Sequence, residues 1–326
     1  MRDHGGDLDR ARALYGRSDW IDLSTGINPV PYPMPVVPLS AMAALPTRQD
    51  ISALEGVAAR AYGTPAALVA VPGAQAAIQL VPRLRTEGQA AVLTPTYNEH
   101  AAALSAQGWA VRQATALDDV MGADIAVVVN PNNPDGRYWA PDVLMTLADR
   151  VGLLVIDESF VDPQPDTSVA PYLKSQGERI LVLRSFGKFY GLAGLRLGFA
   201  IGGPETVSAL QVLAGPWAVS GPAIVAGRVA LADQAWKSGT ITRLARDVNR
   251  LDALAAAAGW DLVGGTSLFR TYETGNARST QDYLARCGIW TRAFPYSAGW
   301  LRLGLPGSER AWARLHAALR PARDSQ

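Results

Sequence analysis

One cysteine, Cys287, and three histidines in 326 residues leave no material for a disulfide framework or a cysteine-rich zinc site. They leave little for a histidine-based centre, so no metal is expected. A reducing compartment suits so little cysteine. Charge of one sign is also missing: 30 Lys and Arg against 29 Asp and Glu give a formal net charge of +1. Such a balance offers no broad field to draw nucleic acid or an anionic membrane, so neither is expected as a partner and any anion site must be local. Long apolar runs are absent too. The opening MRDHGGDLDR is charged, and no later segment reaches the roughly 18 to 20 uninterrupted apolar residues of a spanning helix. The expectation is a soluble cytoplasmic protein.

Apolar residues are plentiful, at 48%, enough for a sizeable core in one large domain or an unequal pair. The spacing from Asp7 to Tyr15 predicts a short helix, and Trp20 to Leu23 runs into STGINP. The proline-rich PVPYPMPVVP that follows resists regular pairing and favours an extended arm. A helical pattern covers Ile51 to Tyr62, and PGAQAAIQLV reads as a turn feeding a second helix. Strand candidates recur at Ala91 to Leu93, Ile125 to Val129, Leu153 to Ile156, Ile180 to Leu183 and Leu195 to Ile201. Continuous apolar runs such as IAVVV and LLVI suit an α/β fold whose mostly parallel sheet is covered on both faces. The Ala-rich run from Gly221 to Gly259 predicts a long helix or a helix pair. After it, TSLFRTY, GIWTRAF and WLRLGL read as strands, and STQDYLARC and SERAWARLHAALR as helices. That implies a smaller α+β domain, completed by the N-terminal arm. The expected boundaries are residues 1–40 for the arm and part of the small domain, 41–220 for the large domain, and 221–326 for the linking helix and small domain.

Three segments concentrate chemistry. ILVLRSFGKFYGLAGLRLGFA sets Ser185, Lys188 and Arg196 around a glycine-rich turn after an apolar strand, where small residues let backbone and cations approach an anion. A lysine in a partly desolvated pocket can form a Schiff base with an aldehyde. VVVNPNNPDG ends a strand in a turn where Asn133 can donate a hydrogen bond, although such turns are also purely structural. LLVIDESF delivers Asp157 from the end of another strand, where a carboxylate can pair with a protonated ring nitrogen.

In this order, NPNNPDG, IDESF and SFGKFYGLAGLRLG resemble the fold-type I pyridoxal-phosphate enzymes of the aminotransferase superfamily, over nearly the whole chain. The resemblance implies a large domain with a mostly parallel sheet plus a small α+β domain, and pyridoxal 5'-phosphate as cofactor. It makes Lys188 the Schiff-base lysine, Asp157 the partner of the pyridine nitrogen and Asn133 the donor to the phenolic oxygen. Ser185 and Arg196, with Gly73, Ala74 and Gln75, would hold the cofactor phosphate, and Tyr97 would stack on the ring. Phe160 departs from the tyrosine of many relatives and cannot donate a hydrogen bond.

HGGDLDRARALYG followed by WIDLSTGINPVP, with DESF and PWAVSGPA, resembles the threonine-phosphate decarboxylases of cobalamin biosynthesis. That narrower resemblance implies loss of carbon dioxide from O-phospho-L-threonine and a homodimer. It assigns His4, Gly5 and Gly6 to a lid, Asn28 to the substrate region, Arg302 to the substrate carboxylate and Arg292 to its phosphate. His4 also fits a solvent-facing terminal residue, and Arg292 an ordinary ion pair. His100 fits a contact on the cofactor side or a cap on its own turn. Trp109, Trp260, Trp290 and Trp300 read as core, interface or strand residues, and the arginines from Arg243 to Arg250 as solvated faces. Leu45 stands where relatives often carry a tyrosine that reaches the partner's cofactor phosphate. The alternative activity is an aminotransferase resembling histidinol-phosphate aminotransferase. A non-catalytic binding role would leave the joint presence of Lys188, Asp157, Asn133 and Arg196 unexplained.

Overall fold

A computed structural model describes residues 4–173 and 179–320. The continuous apolar runs of the sequence form a seven-stranded sheet. Its order across the sheet is Ala67–Val71, Gly198–Gly202, Ile180–Ser185, Leu153–Asp157, Ile125–Val129, Gln89–Leu93 and Ala110–Ala114. Only Gly198–Gly202 runs against its neighbours; the other pairings are parallel. Every residue of Ile125–Val129 and of Leu153–Asp157 is buried, as strands covered on both faces require. Leu153, Val155, Leu181 and Leu183 anchor the main core, each contributing about 1.5–3 kcal/mol of burial.

The helical expectation for Ile51 to Tyr62 corresponds to helix Arg48–Tyr62. Thr47 and Asp50 form a reciprocal capping box at its start, and Gly63, at φ 63°, ends it, a conformation glycine adopts without strain. The expected strand from Leu195 starts later. Ala193–Leu195 is a turn of 3₁₀ helix and Arg196 is left-handed at φ 54°, so pairing begins only at Gly198.

By internal contacts the chain divides into two units: a small one of Met1–Pro31, Pro134–Gly136 and Ser238–Gln326, and a large one of Tyr32–Asn133 and Arg137–Lys237. The small unit carries a four-stranded antiparallel sheet in the order Arg292–Ala293, Trp300–Gly304, Phe269–Glu273, Asp261–Thr266. GIWTRAF is not one strand: Ile289–Trp290 pairs in parallel with Ile21–Asp22, and after Thr291 the chain joins the other sheet. TSLFRTY likewise turns between Thr266 and Phe269. The Ala-rich run is two helices, Gly221–Ala232 and Gln234–Ala257. Among the described residues no helix is long and apolar enough to cross a membrane.

Candidate active site

In the large unit, sheet register gathers the expected cofactor residues along one edge. Val71, Gly198 and Ser185 lie side by side, and Asp157 pairs with Leu183 on one side and Val129 on the other. Gly73 to Gln75, Asn133, Asp157 and Ser185 therefore emerge at, or just past, the carboxyl ends of parallel strands, where open α/β sheets bind ligands. Lys188 follows Ser185 on the short helix Phe186–Phe189, and Tyr97 lies beyond the end of Gln89–Leu93.

The glycine turn makes a cradle. Gly73 sits at φ 79°, and a Cβ there would come within 2.8 Å of Nη2 of Arg196. Gly198 is equally constrained, because a Cβ would press on the Ala74 amide. Backbone and guanidinium thus meet with no side chain between them, which suits a phosphate. Tyr97 and Gln75 are tied together: the Tyr97 hydroxyl donates to Oε1 of Gln75 at 3.0 Å, and Nε2 of Gln75 donates to Glu99 at 3.2 Å.

Asp157 is buried with one carboxylate oxygen 2.9 Å from Nε2 of His100, while the other accepts from the Ser159 amide at 2.9 Å. Burial alone would raise this carboxyl, but the His100 ring and the Ser159 bonds outweigh it and hold its pKa below the ordinary value. Of the two readings of His100, its buried ring contact is with Asp157. Behind this edge, the buried Arg184 joins Glu158 at 3.2 Å and Asp162 at 2.6 Å and lies 4.2 Å over the Tyr62 ring. Burial disfavours that cation, yet the two carboxylates raise its pKa above the usual value. Glu158 also accepts from Ser168 and the Val169 amide, which fixes the chain leaving Asp157.

Asn130 is engaged by Trp139 of its own loop, and Asn132 by Pro95 and Thr96 of the loop after Gln89–Leu93. Asn133 is buried beside them. Phe160 is buried, with Nζ of Lys188 5.6 Å from its ring centre. A phosphate cradle, an ionised buried carboxylate and an amine against an aromatic wall form a donor set that fits a phosphorylated pyridine aldehyde.

The expected substrate residues fall in the small unit. Arg292 and Arg302 are direct cross-strand partners, so their side chains share one face of the sheet, where like charges repel unless an anion intervenes. Arg302 is 2% exposed; its Nη2 donates to the Ser24 carbonyl at 2.6 Å and its guanidinium lies 5.2 Å over Phe269. Ser24 also accepts the Gly6 amide at 2.7 Å through its hydroxyl, tying the glycine segment to Arg302. Gly6 is left-handed at φ 87°, and a Cβ on Gly5 would collide with the Ser24 carbonyl, so both positions call for glycine. His4 and Arg292 line one cavity of about 340 Å³. Asn28 is buried, and its Oδ1 accepts from Arg243 at 2.7 Å and from the Val30 amide at 3.1 Å. Arg243 is therefore not a solvated face, because it bridges Asn28 and Asp247.

The model for aminotransferase class I and II matches residues 40–319. The chain belongs to that family. Among curated relatives, the threonine-phosphate decarboxylase of Pseudomonas aeruginosa is 43% identical over 98% of this chain and 97% of its own. The enzyme of that name from a Sinorhizobium species is 42% identical over 97% of each. A solved histidinol-phosphate aminotransferase from Sinorhizobium meliloti, in complex with pyridoxal-5'-phosphate, aligns at a TM-score of 0.84 and 22% identity, covering 98% of this chain and 94% of that one. That likeness concerns the fold.

For a member of the aminotransferase class I and II family, the residues that motif reading passed over are Ser24, Arg184 and Arg243. Ser24 and Arg243 had weak signals: a serine inside LSTGIN and an arginine on a helix whose partner is 215 residues away. Arg184 carried a stronger one, an arginine inside the apolar run ILVLRS, since a buried cation needs anionic partners.

Proposed function

We propose that this protein decarboxylates O-phospho-L-threonine to (R)-1-aminopropan-2-ol O-phosphate and carbon dioxide in cobalamin biosynthesis, with pyridoxal 5'-phosphate as cofactor. The observation that carries this is full-length similarity to the two decarboxylases, which extends through the N-terminal segment that the family model leaves unmatched.

The cofactor, when bound, supplies an electron-withdrawing ring that accepts the electron pair left by the departing carboxylate. Asp157, kept ionised by His100 and Ser159, would pair with the ring nitrogen and keep it protonated. Asn133 would donate to the phenolic oxygen; Phe160, where many relatives carry a tyrosine, would leave that oxygen one donor fewer. Gly73, Ala74, Gln75, Ser185 and Arg196 would hold the cofactor phosphate, and Tyr97 would cover the ring. Lys188 would hold the cofactor between turnovers and would return a proton to the substrate Cα, so the product would differ from the substrate by one carboxylate replaced by hydrogen.

Which bond at Cα breaks would depend on the torsion in which the substrate is held, so reaction choice would be set by the residues that grip its two ends. Arg302 binds the carboxylate and Arg292 the phosphate, and fixing both anionic ends fixes that torsion. His4, Gly5, Gly6 and Asn28 complete the substrate region. We also infer a homodimer, supported by an exposed apolar stretch in the large unit that includes Val36 at 94%, Leu39 at 77% and Leu45 at 65%. A cytoplasmic setting, in which Cys287 stays reduced, belongs to the same proposal.

The test is product analysis by mass spectrometry after incubating the holoenzyme with O-phospho-L-threonine, with and without 2-oxoglutarate. Aminopropanol phosphate formed without the 2-oxo acid is the expected result. A product formed only with the 2-oxo acid and still bearing its carboxylate would replace the proposal with an aminotransferase.

A further inference from the structure

The cavity lined by His4 and Arg292 holds more positive charge than those two residues supply. Arg10, on helix Leu8–Tyr15, and Arg278, on helix Ala277–Arg286, line it as well, with Asp7 and Gln281. Among the described residues that line it, three guanidiniums stand with one carboxylate. Asp7 is also committed elsewhere: its Oδ1 caps the helix by accepting the Arg10 amide at 3.0 Å.

The position of Arg278 is unfavourable for the helix that carries it. It occupies the first turn of Ala277–Arg286, a turn with no acidic residue, where the helix dipole favours negative charge and repels a cation. A ligand anion drawn to both the helix end and the guanidinium resolves that conflict. The walls are braced. Tyr15 donates its hydroxyl to Asp282 at 2.9 Å, linking the two helices, and Trp290 packs against Tyr15 and Trp20 with ring centres 6.3 and 6.2 Å away. Nε2 of Gln281 donates to the Thr291 carbonyl at 2.7 Å, fixing the second helix against the strand segment that carries Arg292. Neighbouring carboxylates are engaged outside the cavity, Asp282 by Arg286 and Asp9 by Arg12.

We propose that Arg278 and Arg10 complete a phosphate pocket with Arg292, and that they are specificity residues through which the small unit selects a phosphomonoester over a free hydroxyl. The proposal rests on the decarboxylase reading above. A phosphomonoester carries about −1.5 to −2 charges at neutral pH and three acceptor oxygens, which suits a cavity lined by three guanidiniums. A carboxylate offers one charge and two oxygens, and Arg302 is already assigned to it.

The experiment is steady-state kinetics of Arg278→Ala, Arg10→Ala and Arg278→Lys holoenzymes on O-phospho-L-threonine, with inorganic phosphate as inhibitor. Each alanine variant is expected to raise KM and the phosphate inhibition constant together by about tenfold, with kcat within about twofold. The cofactor absorption spectrum should not move, and Arg278→Lys should recover part of the loss. Unchanged KM and phosphate inhibition in both alanine variants would overturn the proposal, leaving two solvated arginines. A fall in kcat at constant KM would also overturn it, as the sign of a structural role. If the wild type does not turn over O-phospho-L-threonine at all, the decarboxylase reading fails by itself. The pocket is then judged by the phosphorus NMR line width of inorganic phosphate, which should broaden with wild type and not with Arg278→Ala; equal line widths would overturn it.

Discussion

The two units treat charge in opposite ways. In the large unit two ionised groups at the sheet edge are buried and matched within the protein: Asp157 by His100 and Ser159, Arg184 by Glu158 and Asp162. In the small unit, Arg10, Arg278 and His4 are exposed and Arg292 half-buried around a cavity where, among the described residues, the one carboxylate is a helix cap. A group matched internally keeps its charge state whether or not ligand is present, and that suits the chemical step. A cavity lined by several cations favours an anion, and that suits recognition. Substitutions in the large unit should therefore change kcat, cofactor spectrum or stability, and those in the small unit should change KM.

The largest expected effect is at Lys188. Lys188→Ala should lower decarboxylation by roughly a thousandfold or more, because it removes both the Schiff-base amine and the proton donor; single-turnover assays and the cofactor absorption band read it, and a band unchanged from wild type would break the assignment. Next is Arg184→Leu, which leaves Glu158 and Asp162 buried without their cation and should destabilise the fold by about 3–5 kcal/mol in urea denaturation. A loss under about 1 kcal/mol would place that cluster with weakly coupled surface pairs. Arg302→Ala should raise KM for the substrate by roughly a hundredfold with a smaller change in kcat, since it removes a charge-assisted contact from a buried site; the reverse split would erase the contrast between units.

The smallest effect concerns pH. The Asp157 pKa is depressed, so its ionised form stabilises the protein above the ordinary carboxylate range, and that contribution is lost as pH falls through the depressed value. His100→Ala removes a lowering influence and leaves burial, which raises the pKa. The acid limbs of activity and stability should both move to higher pH, with kcat down about tenfold at neutral pH. A pH profile superimposable on wild type would show that His100 does not govern Asp157.

Much of this contrast was legible where the signal is local. IAVVV and LLVI gave their strands directly, because a strand buried on both faces has no alternation to obscure it. Lys188, Asp157 and Asn133 sit in short contiguous motifs at strand ends, and the register brings their strands together as the motif order implies. The edge strand Ala110–Ala114 was missed because it is mostly exposed and carries Arg112 and Gln113 in place of an apolar run. Ala67–Val71 escapes the same reading because its two alanines favour helix and it lies between two helical patterns. Pairings across long separations left no trace in the sequence: His100 meets Asp157 from 57 residues away, and the cavity gathers residues from opposite ends of the chain. An arginine on a polar helix face, such as Arg278, looks the same in sequence whether it faces water or a ligand.

The most direct measurement is the fate of the carboxyl carbon: O-phospho-L-threonine labelled with carbon-13 at the carboxylate, incubated with holoenzyme in the absence of any 2-oxo acid, with the released gas and the solution both analysed. Labelled carbon dioxide equal to the substrate consumed, and its loss in Lys188→Ala, is the expected result. Label retained in solution in an amino or 2-oxo acid, with no labelled gas, would contradict decarboxylation.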